Sequence, residues 1–266
     1  MSKELDTIRN LKNYCDRHGL VFSYLDEIVN EPKVVPMIRG IGFEYTLQEA
    51  LLQTLSSDKR YEIIKEKGNP QLGSTDSDLI IKNRINNKKL RVECKLAKND
   101  SFSSSSRVVK FPHCQIKVMR SRTMGDEVIE RVAKNGKYSV EQLSKHKDSY
   151  PYEKFDLLVT NIRNAFYRTT PEGEFLFSPT ASEEVFLKDF FNVNTIEEVD
   201  DKLKNTHFFI PSRNLAPRFN GEPCRKKNCE DINCEFIPNY PIFPLDGSGD
   251  WHSLDNLLNY LNRVLN

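Results

Sequence analysis

No apolar stretch in the chain approaches the roughly 20 residues that a bilayer-spanning helix needs. The longest apolar runs, such as Phe155 to Val159, are strand-length. The opening MSKELDTIRNLKNYC is charged throughout and has no apolar signal region, so the expected compartment is cytoplasmic. Six cysteines in 266 residues are too few for a disulfide scaffold. The absence of an internal repeat removes solenoids and propellers. An overall excess of one charge is lacking too, since the formal net charge is only +1. What remains is 38% hydrophobic and 29% charged, a soluble globular composition, on a chain long enough for a substantial core.

The charge is unevenly spread. Between Lys82 and Arg122 twelve Lys/Arg stand against two acids, Glu93 and Asp100, a net +10; the rest has 27 basic and 36 acidic residues, a net −9. A basic block on an acidic background is the electrostatic footprint of a polyanion partner. Lys98, Arg107, Lys110, Lys117, Arg120 and Arg122 are the candidate phosphate contacts, and His113 and Gln115 are candidates to reach base edges. A solvated lysine-rich surface is the plainer explanation of such a block.

Local patterns predict mixed strands and helices. Leu5, Ile8, Leu11 and Cys15 recur at helical spacing and stop at His18-Gly19. From Gly40 the stretch GIGFEYTLQEALLQTL reads as an amphipathic helix with Phe43, Leu47, Ala50, Leu51 and Leu55 inward, and Glu44 on nearly the same face. A turn cluster, GNPQLGSTDS, leads into Leu79, Ile80 and Ile81, and the polar KNRINNKK connects these to LRVECKLAK as a hairpin. Ser139 and Gln142 make a capping box, and KFDLLVTNI is the clearest buried strand. Segments 182–191, 195–203 and 253–265 read as helices.

The stretch LRVECKLAK poses a chemical question. In a strand, Leu90, Val92, Cys94 and Leu96 face one way and Arg91, Glu93 and Lys95 the other, so a segment apolar enough to be central carries unpaired charges on one face. With the turn centred on Asn86-Asn87, Asp78 falls opposite Lys95; a shift of one residue places it opposite Glu93. Two carboxylates at a strand end form an oxygen-rich site for Mg²⁺, with the Cys94 carbonyl a further candidate ligand. Such a metal stabilises charge on a phosphodiester, and Lys95 would orient or help deprotonate the attacking water.

At these residues the chain resembles the PD-(D/E)xK nuclease superfamily, and in size and organisation the type II restriction endonucleases. The resemblance runs from about Gly40 to Ile162. It implies a restriction-endonuclease-like core, a mixed central sheet flanked by helices, within a single α/β domain over 1–266: a helical segment 1–39, a catalytic core 40–210, and a cysteine-containing loop with a closing helix 211–266. It also implies Mg²⁺-dependent cleavage of double-stranded DNA, usually by a homodimer; a cognate methyltransferase acting on the same site is the further partner a restriction role would bring. Glu44 matches the acidic residue that some members place on the first core helix as an added metal ligand or water anchor. Ser77 stands where the motif has proline, which makes Asp76 a competitor for Asp78. A repair or mobile-element role would use the same residues.

A second constellation is PCRKKNCEDINC, with Cys224, Cys229 and Cys234 at equal spacing. Three thiolates could hold a structural Zn²⁺ with His207 or His252 as the fourth ligand, while His146 and Trp251 read as structural. Arg225, Lys226 and Lys227 give this loop a second set of candidate DNA contacts. A non-catalytic nucleic-acid-binding protein built around it is the reading from a different class.

Overall fold

A computed structural model describes residues 3–65, 77–120, 122–134, 136–171, 174–226, 229 and 231–265. Asp76, Lys227 and most of the turn cluster before Asp78 lie outside them. In chain order the elements are α1 (Lys3–His18), α2 (Leu25–Asn30), α3 (Val35–Thr54), β1 (Tyr61–Ile64), β2 (Leu79–Asn83), β3 (Lys89–Leu96), β4 (His113–Gln115), α4 (Asp126–Ala133), α5 (Val140–Lys145) and β5 (Leu157–Asn161). The remainder are β6 (Tyr167–Thr169), β7 (Phe175–Phe177), α6 (Ala181–Phe191), α7 (Ile196–Asn205), β8 (Phe208–Pro211), α8 (Pro217–Asn220), β9 (Ile242–Pro244), β10 (His252–Ser253) and α9 (Leu257–Val264). Among the described residues no helix is long and apolar enough to cross a membrane.

A mixed central sheet of six strands, ordered β1-β2-β3-β5-β8-β10, organises the chain. β3 and β5 pair in parallel, and the other neighbours are antiparallel. Alternation along the strands supplies both faces. Val92, Cys94, Leu157 and Val159 face Phe43, Leu47 and Leu51 of α3 and Leu257 and Leu261 of α9. Leu158 and Ile210 face the opposite layer, where Leu187 of α6 and Val199 and Leu203 of α7 are buried. A third, smaller cluster joins Ile129 of α4 and Leu143 of α5 to Cys224, Cys234 and Phe236.

Several boundaries depart from expectation for local reasons. α3 begins at Val35 rather than Gly40, because Pro36 sits in its first turn, where a missing N–H leaves no hydrogen bond unmade. The hairpin turn is centred one residue earlier than Asn86-Asn87. Lys82 pairs with Lys89 and Leu79 with Val92, leaving a four-residue loop, 84–87. The Asn83 side chain accepts from Ile85 N–H at 2.8 Å, and Asn87 takes the left-handed conformation (φ 59°) that asparagine tolerates. The Ser139–Gln142 capping box forms as read. The segment 108–118, undecided between strand and helix, contributes the short β4.

Candidate functional site: an acidic hairpin end and a thiol cluster

The hairpin register decides the site. One step beyond the Leu79–Val92 pair, Asp78 comes level with Glu93, the second of the two arrangements allowed by the sequence. Asp78 Oδ2 accepts a hydrogen bond from the Cys94 N–H at 2.7 Å, so a side chain replaces the ladder partner that β2 no longer supplies. The edge of β3 is picked up again further on: Lys98 N–H donates to Gln115 O at 2.7 Å and Lys117 N–H to Leu96 O at 3.3 Å. Among the described residues, the edge between these two partners has a gap at Cys94. A strand residue's N–H and C=O lie on the same edge, so the Cys94 carbonyl faces the gap together with Asp78.

On the face away from α3, Lys95 Nζ sits 2.5 Å from Glu93 Oε1, and Glu93 is only 5% exposed. Burial pushes the Glu93 carboxyl above its ordinary value; Lys95 partly offsets this and Asp78 adds to it. Burial alone would pull Lys95 down, but attraction from Glu93 and Asp78 outweighs it and the net direction is upward. Lys95 is therefore an ammonium here. Two carboxylates meet beside that ammonium, with Lys154 adding a weaker positive charge near Glu93, and together they present hard oxygens of the type that suits a divalent cation.

Glu44 is brought to the same region by α3. It lines a cleft of about 450 Å³ with Cys94, Lys95, Lys98, Lys117 and Arg39. Its carboxylate pairs with Lys65, a partner the sequence did not suggest. Sequence reasoning also missed Arg39, whose guanidinium lies 3.9 Å from the Phe175 ring centroid and donates to Asn164 Oδ1. It missed Tyr150 as well. That side chain lies under Arg120, 5.3 Å from its ring centroid, and under Lys95 at 5.9 Å. Burial first, then the negative charge of Glu93, pushes the Tyr150 phenol up to about 12. No local pattern marks either residue; only the fold brings them here.

The candidate DNA contacts divide. Lys98 and Lys117 line the cleft, and Arg107, Lys110 and Arg122 are exposed. Gln115 is half-buried beside Lys98, its Oε1 3.5 Å from Lys98 Nζ. Arg120 turns inward and donates to Ser149 O at 2.9 Å. His113 is 5% exposed, with Nδ1 2.8 Å from Phe111 O; buried this way it offers no face to a base edge, which corrects the reading from sequence. Arg225 pairs with Glu222, and Lys226 with Asp148.

The cysteine loop does gather its thiols, but the histidine beside them is His146. His146, Cys224, Cys229 and Cys234 bring their ligand atoms within 4.8 Å of one another, and the cluster could bind a metal such as zinc. His146 Nε2 lies 3.3 Å from Cys229 Sγ and 3.5 Å from Cys234 Sγ. His207 and His252, expected as the fourth ligand, lie elsewhere: His207 stacks on Phe43, and His252 lies tilted against Phe209 of the central sheet. The sequence reads His146 as structural; it lies 78 residues before Cys224, and its position just after α5 closes that distance. Trp251 is structural as read, donating its indole N–H to Ile242 O at 3.2 Å. Comparison with family models, with characterised proteins and with solved structures finds no match for this chain.

Proposed function

We propose that the protein is a Mg²⁺-dependent endonuclease of the PD-(D/E)xK kind, acting on double-stranded DNA and cutting at specific sites as a type II restriction enzyme does. The observation that carries this reading is the meeting of Asp78, Glu93 and Lys95 at the gap in the β3 edge, beside a cleft rimmed by Lys98 and Lys117. Asp78, Glu93 and the Cys94 carbonyl would hold the ion. When bound, it supplies charge neutralisation at the scissile phosphate and a more acidic water. Lys95 sets its ammonium against the non-bridging oxygens as charge builds on them, and the buried surroundings of Glu93 make that attraction stronger than it would be in water. Glu44, which lines the same cleft, would orient water. Lys98 and Lys117 grip the backbone without reading sequence.

Cutting both strands of a duplex calls for two such sites, so the active form is proposed to be a homodimer. A methyltransferase protecting the same sequence is the partner that this role implies. The His146 and cysteine cluster takes no part in the chemistry: its soft thiolate donors suit Zn²⁺, not Mg²⁺.

The test is direct. Purified protein incubated with long mixed-sequence duplex should give discrete fragments with Mg²⁺ and none with EDTA, and Asp78→Asn should abolish them. Uncut DNA under every metal tried, with binding retained, would replace the nuclease reading by a non-catalytic binding protein.

A further inference from the structure

We propose that His146, Cys224, Cys229 and Cys234 form a tetrahedral structural zinc centre, which fastens the α4–α5 pair to the C-terminal loop and thereby holds the Arg120–Tyr150 wall beside Lys95. The zinc site stands on its own geometry; only the importance of that wall for cleavage rests on the nuclease reading.

The four donors suit the ion. Zinc bound about 2.3 Å from sulfur and about 2.05 Å from imidazole nitrogen, in a tetrahedron, requires N···S edges of about 3.6 Å and S···S edges of about 3.8 Å. The two N···S distances recorded at His146 are 3.3 and 3.5 Å, and no pair of donors is more than 4.8 Å apart. Chain geometry turns the sulfurs inward. Cys229 N–H donates to Lys226 O at 3.0 Å and Cys234 N–H to Asp231 O at 3.3 Å, so each of these cysteines closes a short turn. The imidazole plane is fixed by Phe236, stacked at 4.3 Å between ring centroids and 4° between planes. All three thiols are free of disulfide bonds.

The surroundings explain what such a centre would do. The cluster sits in the small third core, with Met124, Ile129, Leu143 and Phe236 as its main buried side chains. A core of that size contributes little by burial alone and gains from a metal staple. The chain leaving His146 is clamped on both sides. Met124 N–H donates to Lys147 O and Arg120 N–H to Asp148 O, each at 2.9 Å, while Ile237 N–H donates to Tyr150 O at 2.8 Å. Ser149 and Asp148 are tied to Asn239, both at 2.7 Å. His146 is four residues from Tyr150, so an anchor at one end limits the freedom of the other.

The experiment measures zinc before it measures cleavage. Protein washed with EDTA should retain one zinc per chain by elemental analysis, and cobalt substitution should give thiolate-to-cobalt charge transfer with tetrahedral visible bands. His146→Ala should weaken retention and alter those bands, and His146→Cys should restore retention. Cys229→Ser, at the least buried of the three thiols, covers the case in which Cys234→Ser does not fold. Asp78→Asn, inactive on DNA, should hold zinc as the wild type does, so that failure of the nuclease reading leaves this one standing. Removing the zinc should speed amide exchange at 120–124 and 147–152 by about tenfold or more while leaving the β2–β3 pair unchanged. Absence of zinc after reconstitution together with absence of the charge-transfer bands overturns the site; full zinc release with unchanged exchange overturns the staple.

Discussion

The hairpin end and the thiol cluster bring together polar side chains of opposite character. At Asp78 and Glu93 the candidate donors are hard oxygens at the end of one hairpin, and the neighbouring Cys94 and Lys95 line a cleft of about 450 Å³. At His146 the candidate donors are three sulfurs and a nitrogen drawn from segments 78 residues apart in sequence, and in the proposed zinc centre these four would complete a tetrahedral set. Open coordination of a weakly held ion suits turnover, whereas closed coordination by soft ligands suits permanence. Under the proposed reading, the first region would supply chemistry and the second architecture.

The largest effect should come from the open site. Lys95→Ala and Asp78→Asn should each lower the cleavage rate by about 10³-fold or more, read as single-turnover rates on a plasmid. Asp78→Ala sharpens the contrast, because it also strips the acceptor from the Cys94 N–H, at a cost of about 1–3 kcal/mol in denaturant unfolding. Asparagine, which keeps an acceptor oxygen, should melt close to wild type. Equal melting of the two variants would mean that Asp78 has no structural share.

Acid should act next, and on one region first. Glu93 is held above the ordinary carboxylate range, so as pH falls through its raised value it gains a proton and ceases to be a ligand. Cleavage should therefore be lost at a higher pH than an exposed carboxylate would give, and raising Mg²⁺ should move that acid limb downward, since cation and proton compete for the same oxygens. An acid limb insensitive to Mg²⁺ would remove Glu93 from the ligand set. Glu44→Gln should cost less, about tenfold in rate, because its carboxylate is already paired with Lys65. Smallest of all, Lys98→Ala and Lys117→Ala should each flatten the salt dependence of DNA binding by about one unit of slope, measured by titration in Ca²⁺.

Much of this was written locally. The end of α1 at Gly19, the Ser139–Gln142 cap and the strand Leu157–Asn161 each follow from a few adjacent residues, and the alternation in LRVECKLAK gave both faces of β3 correctly. Local signals left choices open where they competed. The Asn86-Asn87 pair left Asp78 opposite either Lys95 or Glu93, and the loop supported by Asn83 and Asn87 selects Glu93. β1, four residues following the turn after α3, offered too short a pattern to recognise. The fourth donor of the thiol cluster was legible only as a choice among five histidines. Sequence distance favoured His207 and His252, whereas packing of α5 on the loop selected His146. Arg39 reaches the cleft, and Tyr150 reaches Lys95, through contacts made by distant segments, which no periodicity encodes.

The parallel pairing of β3 with β5 also orders events in time. The two carboxylates come together when a short hairpin closes, yet the strand that covers its other edge begins at Leu157, partner of Val92, 65 residues later. Closing the larger loop adds about 1.5–2 kcal/mol of entropy relative to a ten-residue one and must await the whole intervening excursion. During synthesis the nascent chain is thus expected to bring the two carboxylates together early and to shield them from water late, once β5 has docked.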